Sequence, residues 1–354
     1  MGAELRLAKE LGLVLASLAL AFGVGALVAQ LSGLSPGPVY RELIRGAFGD
    51  QYRIFQTLTQ ATPIMFTSLS FLIAFRAGLF NIGAEGQLYM GAFFGAWAGF
   101  TLVLPPYFHT AVALLVGALA GAFWGFIPAW LRARRGTNEF VTTMMLSYVA
   151  VYFTSWLVSP RGPYHGTQWA NQTVRILRSA ELPRFVQGMQ LHWGLVIAGL
   201  LSLVLWYFLF RTPRGYELRA VGQNPRAAQY AGIDVPRITI LALTLAGALA
   251  GLGGAAEILG THRRFIEFFS PGYGWDGIAG GLIARAHPLA VIPAAILIGA
   301  LRAGGMGMDR AGVAPADFAS VLQGIVNFFV VAPELFRIFR RIRRERRVLV
   351  HSQP

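Results

Sequence analysis

Apolar runs long enough to cross a lipid bilayer recur along the whole chain, separated by short polar stretches. A crossing helix needs roughly 20 apolar residues, because the hydrocarbon layer is about 30 Å thick. Runs of that order occupy 11–31, 56–75, 84–104, 109–131, 141–159, 192–210, 238–259 and 316–334, with a shorter pair near 275–286 and 288–303. The expected fold is therefore all-α: a polytopic transmembrane helix bundle of about ten membrane segments. The short pair reads either as a re-entrant hairpin or as two crossings. Composition agrees, since 55% of the 354 residues are hydrophobic and only 13% charged, about half the charge of an ordinary soluble domain.

Basic residues set the orientation, because cytoplasmic loops carry the excess of Lys and Arg. With the N-terminus inside, 18 of the 30 basic residues fall on the inner side and 11 on the outer, with Arg285 at the tip of the short pair. The loop at 160–191 runs against the trend with four Arg, but the tail RIFRRIRRERR belongs in the cytoplasm. Both termini are expected there. The N-terminal apolar run is longer than a signal-peptide core and reads as an uncleaved first span. One transmembrane domain, 1–354, is expected: a first span and external loop to residue 55, a core bundle over 56–335 with an inner segment at 211–237, and a basic tail from 336.

Several chemistries are excluded. Lys9 is the sole lysine, so a G-x-x-x-x-G-K-[ST] phosphate loop is impossible and the chain is no Walker-type ATPase. With no cysteine there is no disulfide or thiolate site. His109, His165, His192, His262, His287 and His351 stand singly, without metal-ligand spacing. The net charge of +14 reads as topology signal and headgroup contact, not as a nucleic-acid surface. Glycines at 91, 95 and 99, at 117, 121 and 125, and at 247 and 251 recur every four residues, which lets helix backbones approach closely.

Three stretches carry polar detail. In 211–237, Asn224 can cap, Pro225 suits the first helical position and Gly232 fits the left-handed residue past the end. The resulting helix, about 10 Å long, either presents Ala227, Ala228 and Tyr230 as a rigid knob or rests on lipid headgroups. In 75–97, Asn81, Glu85 and Gln87 lead into a span near a membrane face. There Glu85 either lines a polar path or satisfies helix-end amides freed by Gly78, Gly83 and Gly86. In 132–156, Thr137 and Asn138 can cap and Glu139 suits the helix dipole, while Thr142, Thr143, Ser147 and Tyr148 suggest one polar face directed into the bundle.

Three passages, FNIGAEGQLYMGAF at 80–93, TNEFVTTMMLSYVA at 137–150 and LRAVGQNPRAAQYAGI at 218–233, resemble the permease subunits of bacterial ABC importers. They lie in the branch related to ribose, simple-sugar and branched-chain amino acid permeases, and are most similar to nucleoside-importer permeases. The resemblance runs from about 56 to 335. It implies a nucleoside as cargo, with ribose or another simple sugar as the alternative. It also implies a second, related permease chain, a cytoplasmic ABC ATPase that holds ATP and Mg, and an extracytoplasmic substrate-binding lipoprotein. No cofactor on this chain is implied. Arg219, Gly222, Asn224, Pro225, Ala227, Ala228 and Gly232 match the ATPase-coupling segment. Asn81, Glu85, Gln87, Asn138 and Glu139 match polar motif positions, and Ser147 stands where Asn is more usual. An ion-coupled secondary transporter is the rival on physical grounds. It normally places ionisable relays inside the membrane, whereas Glu85, Glu139 and Glu257 fall near span ends.

Overall fold

A computed structural model describes residues 17, 19–166, 170–315 and 317–329. Among them the chain is helical and forms no strand, only isolated antiparallel bridges pairing Gln172 with Ile266 and Arg184 with His192. It divides into two compact units, residues 1–53 with 301–354, and residues 54–300. In chain order the helices are α1 (Ala19–Leu31), α2 (Pro36–Phe48), α3 (Gln51–Arg76), α4 (Ala84–Thr101), α5 (Phe108–Arg135), α6 (Glu139–Val158) and α7 (Gly194–Arg211). There follow α8 (Pro213–Gln223), α9 (Pro225–Tyr230), α10 (Val235–Glu257), α11 (Tyr273–Ile283), α12 (Val291–Arg310) and α13 (317–329).

Six helices among the described residues are long and apolar enough to cross a membrane: α3, α5, α6, α7, α10 with the π turn that carries it to His262, and α12 with the 3-10 turn from Pro288. These support a polytopic helical bundle; of the ten segments expected, those at 11–31 and 316–334 lie partly outside the described residues. α4 has 18 residues, but Glu85 and Gln87 leave it less apolar than the six. α11 has only 11 residues, about 16 Å of helix, half of a crossing. Its supposed short companion is part of the 23-residue segment Pro288–Arg310, so the two do not form a symmetrical re-entrant pair. The start of the first span, the end of the last, the basic tail and both termini lie outside the described residues.

In the smaller unit, the stretch assigned to an external loop contains α2. Pro36 starts it, and Val39, Leu43, Gly46 and Ala47 are buried at three- and four-residue spacing while the opposite face is exposed, the pattern of a surface helix. The Tyr40 hydroxyl donates to the Phe22 carbonyl at 2.6 Å. A methyl group on Gly46 would lie 3.0 Å from the Gly304 Cα, so α2 and the end of α12 pack backbone to backbone.

In the larger unit the glycine repeats do what their spacing predicts. A Cβ on Gly91 or Gly117 would come closer than 3.0 Å to backbone or side-chain atoms of α10, and one on Gly121 or Gly125 would strike α10 backbone. Gly247 and Gly251 return the contact toward α5. Helices that gain nothing from excluding water associate through this close van der Waals contact. The α4–α5–α10 layer is thus fixed by the absence of side chains, and Phe66, Leu69, Leu88 and Phe93 fill the space beside it.

Candidate functional site

The chain from Ala77 to Gly83 does not run along one end of the bundle but folds back between helices. Asn81 is fully buried, and its amide nitrogen donates to Gln87 Oε1 at 2.9 Å and to the Ser70 hydroxyl at 3.3 Å. Its oxygen accepts from the Gly83 amide at 3.0 Å and from Gln87 Nε2 at 3.2 Å. Both side-chain amides are thereby largely satisfied without water, as burial requires. From α6, the Thr143 hydroxyl accepts from the Ile82 amide at 3.2 Å, and Ser147 accepts from the Gly86 amide at 3.3 Å. The Ser147 bond supplies a partner for a backbone donor that the first turn of α4 leaves open, and the Thr143 bond satisfies one in the segment leading into it.

Glu85 sits deeper than its sequence position suggests. Its Oε2 accepts from the Gly274 amide at 2.5 Å, at the first turn of α11, and the Thr67 hydroxyl donates to the Tyr273 carbonyl beside it at 2.8 Å. Thr67 lies nine residues from the Arg76 end of α3, about 13 Å along the axis. The carboxylate is therefore near mid-depth of α3 and 7% exposed. There it meets the positive end of the α11 dipole, which favours an anion. Glu85→Leu is expected to leave this buried amide without its acceptor and to lower thermal stability by about 2 kcal/mol, read as an earlier unfolding transition in detergent. Glu85→Gln should lose less.

The hydroxyl row on α6 divides. Thr143 and Ser147 face inward, but Tyr148 is 47% exposed, and Thr142 donates only to carbonyls of its own helix. The single polar face expected there reduces to two residues. Asn138 caps the helix by accepting from the Phe140 amide at 3.0 Å, and Glu139 pairs with Arg132 at 3.2 Å. Both hold the α5–α6 turn and neither reaches the buried knot.

The 211–237 segment is two helices, not one. Thr212 caps α8 by accepting from the Gly215 amide, and Asn224 caps α9 by accepting from the Ala227 amide, each at 3.1 Å. Pro225 begins α9, and Gly232, at φ +84°, ends it. Tyr230 is 95% exposed and Ala227 is exposed, but Ala228 is buried at 4%. The knob therefore consists of Ala227 and Tyr230, with Ala228 anchoring it from beneath. A cleft of about 530 Å³ opens between α8 and α9, lined by Tyr216, Glu217, Gln223, Ala227 and Ile233 among others. Gly222 faces inward, where a Cβ would fall closer than 3.0 Å to the Arg76 carbonyl. Arg219 donates from Nε to the Leu209 carbonyl at 2.9 Å.

Sequence reasoning missed Ser70, Thr67, Tyr273 and Gly274, whose roles depend on distant partners. It also missed a buried group at the far end of α10. Glu257 is 2% exposed with its Oε1 3.5 Å from His262 Nε2, and Arg184 donates to the carbonyls of Gly260 and Thr261 at 2.8–3.0 Å. The π turn at 258–262, a form often found at functional sites, was the feature that local pattern could not reveal.

The family described as "Branched-chain amino acid transport system / permease component" matches residues 53–331. Similar proteins include the guanosine ABC transporter permease protein NupP of Bacillus subtilis (strain 168), 35% identical over 91% of this chain and 93% of its own length. The glucose ABC transporter permease protein TsgB13 of Haloferax volcanii is 34% identical over 91% of this chain and 87% of its own. The nucleoside ABC transporter permease protein NupB of Lactococcus lactis subsp. cremoris is 32% identical, covering 91% of each. No solved structure matches.

Proposed function

Because the chain belongs to the branched-chain amino acid transport system permease family, we propose that it is the membrane-spanning subunit of an ATP-driven importer whose cargo is a nucleoside. Within that family the choice of cargo turns on Glu85. Half-length helices at mid-membrane commonly offer their positive ends to anionic substrate groups. Here the chain's own carboxylate occupies the α11 end, so the site has no unmet attraction for the carboxylate of an amino acid, and a neutral solute is favoured. Relatives named for guanosine and for nucleosides support a nucleoside among neutral solutes. A simple sugar is the second reading, supported by the relative named for glucose.

In this reading α8 and α9 face the cytoplasm as the ATPase-coupling segment, and the plasma membrane holds the bundle with both termini inside. The single permease domain spans 1–354. A cytoplasmic ABC ATPase binds ATP and Mg, a second permease chain completes the pathway, and an extracytoplasmic lipoprotein delivers cargo. Exposed Tyr230 and the cleft beside it supply the docking relief, and exposed Arg226 adds a positive charge beside the Arg214–Glu217 and Arg237–Asp234 ion pairs. An ion-coupled mechanism is disfavoured because Glu85 already has a fixed backbone partner, which is poor chemistry for a relay that must bind and release ions.

The cargo test is competition. In proteoliposomes holding the complete complex, unlabelled guanosine should suppress uptake of radiolabelled guanosine far more strongly than glucose, and leucine should have no effect. Dominant competition by leucine would contradict the argument from Glu85, and dominant competition by glucose would move the cargo to the sugar reading.

A further inference from the structure

Where α8 meets the rest of the bundle, three segments close on one aromatic ring, Phe210 of α7. The Arg76 guanidinium, at the end of α3, lies 5.6 Å from the Phe210 ring centroid, and that of Arg219, on α8, lies 5.1 Å from it. Both distances are within the range at which a cation is held by a π face. His287, in the turn between α11 and α12, stacks on the same ring at 5.7 Å and 26°. Burial, then the nearby Arg76 charge, lower the His287 pKa, so at neutral pH it is an uncharged ring and not a third cation.

Each contributor is also fixed to backbone. Arg76 Nε donates to the Ala286 carbonyl at 2.7 Å. Arg219 is tied to Leu209, Gly222 is seated on the turn from Arg76 to Gly78, and Ser202 of α7 donates to the Pro288 carbonyl at 2.6 Å. The turn so gripped is strained. Arg285 and Ala286 have φ of +49° and +50°, a conformation that non-glycine residues hold only when their surroundings impose it. From that turn α11 runs inward against α3, with Gly277 on Thr67, Gly280 on Ser68 and Gly281 on Phe71. It ends on the Glu85 and Thr67 bonds. An unbroken, close-packed path thus leads from the α8–α9 segment to the buried polar knot.

We infer that Phe210 is a positioning residue, the joint that makes α8, the end of α3 and the α11 turn move together, so that displacement of the coupling segment reaches the mid-depth site. This rests on reading α8–α9 as the ATPase-facing segment. The ring is shared by groups from three separate elements, so removing its face takes a contact from all three at once and leaves only the backbone hydrogen bonds to hold them. Replacing it with another aromatic keeps them joined.

The test uses the whole complex reconstituted with its ATPase and two readouts. The chain has no native cysteine, so Gln229→Cys on α9 and Trp275→Cys on α11, both exposed, take spin labels cleanly in an otherwise cysteine-free complex. With Phe210 present, ATP should leave the label separation unchanged, because the two helices travel as one body. With Phe210→Leu, ATP should shift or broaden it, and the ATP hydrolysed per guanosine imported should rise about tenfold. Phe210→Tyr should restore both. Wild-type label behaviour and an unchanged ratio in Phe210→Leu would overturn the inference. If that variant does not assemble, Arg219→Gln, which leaves the ring packed, carries the same expectation and the same refutation. Failure of the unsubstituted complex to import guanosine would instead count against the cargo reading. The label distances, which need only ATP and the ATPase, still decide the joint.

Discussion

Gly251→Leu is expected to prevent the bundle from assembling, so that little or no monodisperse protein is recovered from membranes. Its Cβ would lie closer than 3.0 Å to the Gly121 Cα and the Gly117 carbonyl, and Gly91 approaches the same stretch of α10 from α4. The obstructing atoms are backbone, which cannot rotate away as a flexible side chain can. Overpacking ordinary cores costs about 1–3 kcal/mol, and a γ-branched side chain driven between three backbones belongs at or beyond the top of that range. Gly199→Leu is the matched control: it lies on α7 with nothing within 4 Å of its Cβ, and it should be recovered normally. Equal recovery of the two variants would remove the close-packed glycine layer from the account.

Tyr230→Ala is expected to reduce ATP-driven uptake by about thirtyfold, the loss typical of an aromatic hot spot worth about 2 kcal/mol, while recovery and unfolding temperature stay at wild-type values. The side chain is 95% exposed in a six-residue helix fixed at both ends by Asn224 and Gly232. It therefore contributes nothing to the fold of this chain and is free to enter a partner. Ala228→Arg should abolish uptake by another route. Ala228 is 4% exposed, and an arginine there must lift α9 off its seat, so this variant is expected to lose local stability as well. Measuring uptake and unfolding side by side separates lost recognition at Tyr230 from lost support at Ala228. Full uptake by Tyr230→Ala would show that α9 is not the docking element.

The contrast between these residues marks what sequence could and could not reveal. Caps at Asn138, Thr212, Asn224 and Asp234 obey short-range rules. Asn138 and Asn224 were legible as caps from the sequence but Thr212 and Asp234 were not proposed, and the helix expected from Pro225 with its end at Gly232 agrees with α9. The glycine layer was legible because its spacing matches one helical face. The inward face of α9 was not, because six residues are too few to show a periodicity that separates Ala227 from Ala228. On α6, four hydroxyls three to five residues apart looked like one face. At 100° per residue, however, Tyr148 lies about 140° around the axis from Thr143, whereas Ser147 is only about 40° from it.

The depth of Glu85 was hidden for a different reason. Counting residues from Arg76 assumes that the chain leaves one span, turns outside the membrane and re-enters. Instead the 77–83 segment turns back among Ser70, Thr143 and Ser147, supported by hydrogen-bond partners up to 65 residues away in sequence. The short length of α11 was legible in the segment at 275–286, which Arg285 and His287 end, but the extension of its companion to Arg310 was not. In the 77–83 turn it is polar satisfaction inside the bundle, not hydropathy, that sets where the backbone goes.

The central claim is that this chain forms a nucleoside path driven from outside itself by ATP hydrolysis. The most direct test is guanosine uptake into proteoliposomes holding the chain with its second permease, ATPase and binding protein, measured with and without ATP on the ATPase side and with imposed proton or sodium gradients. Accumulation that requires ATP and ignores both gradients is the predicted result. Accumulation that follows a gradient in the absence of ATP would contradict it.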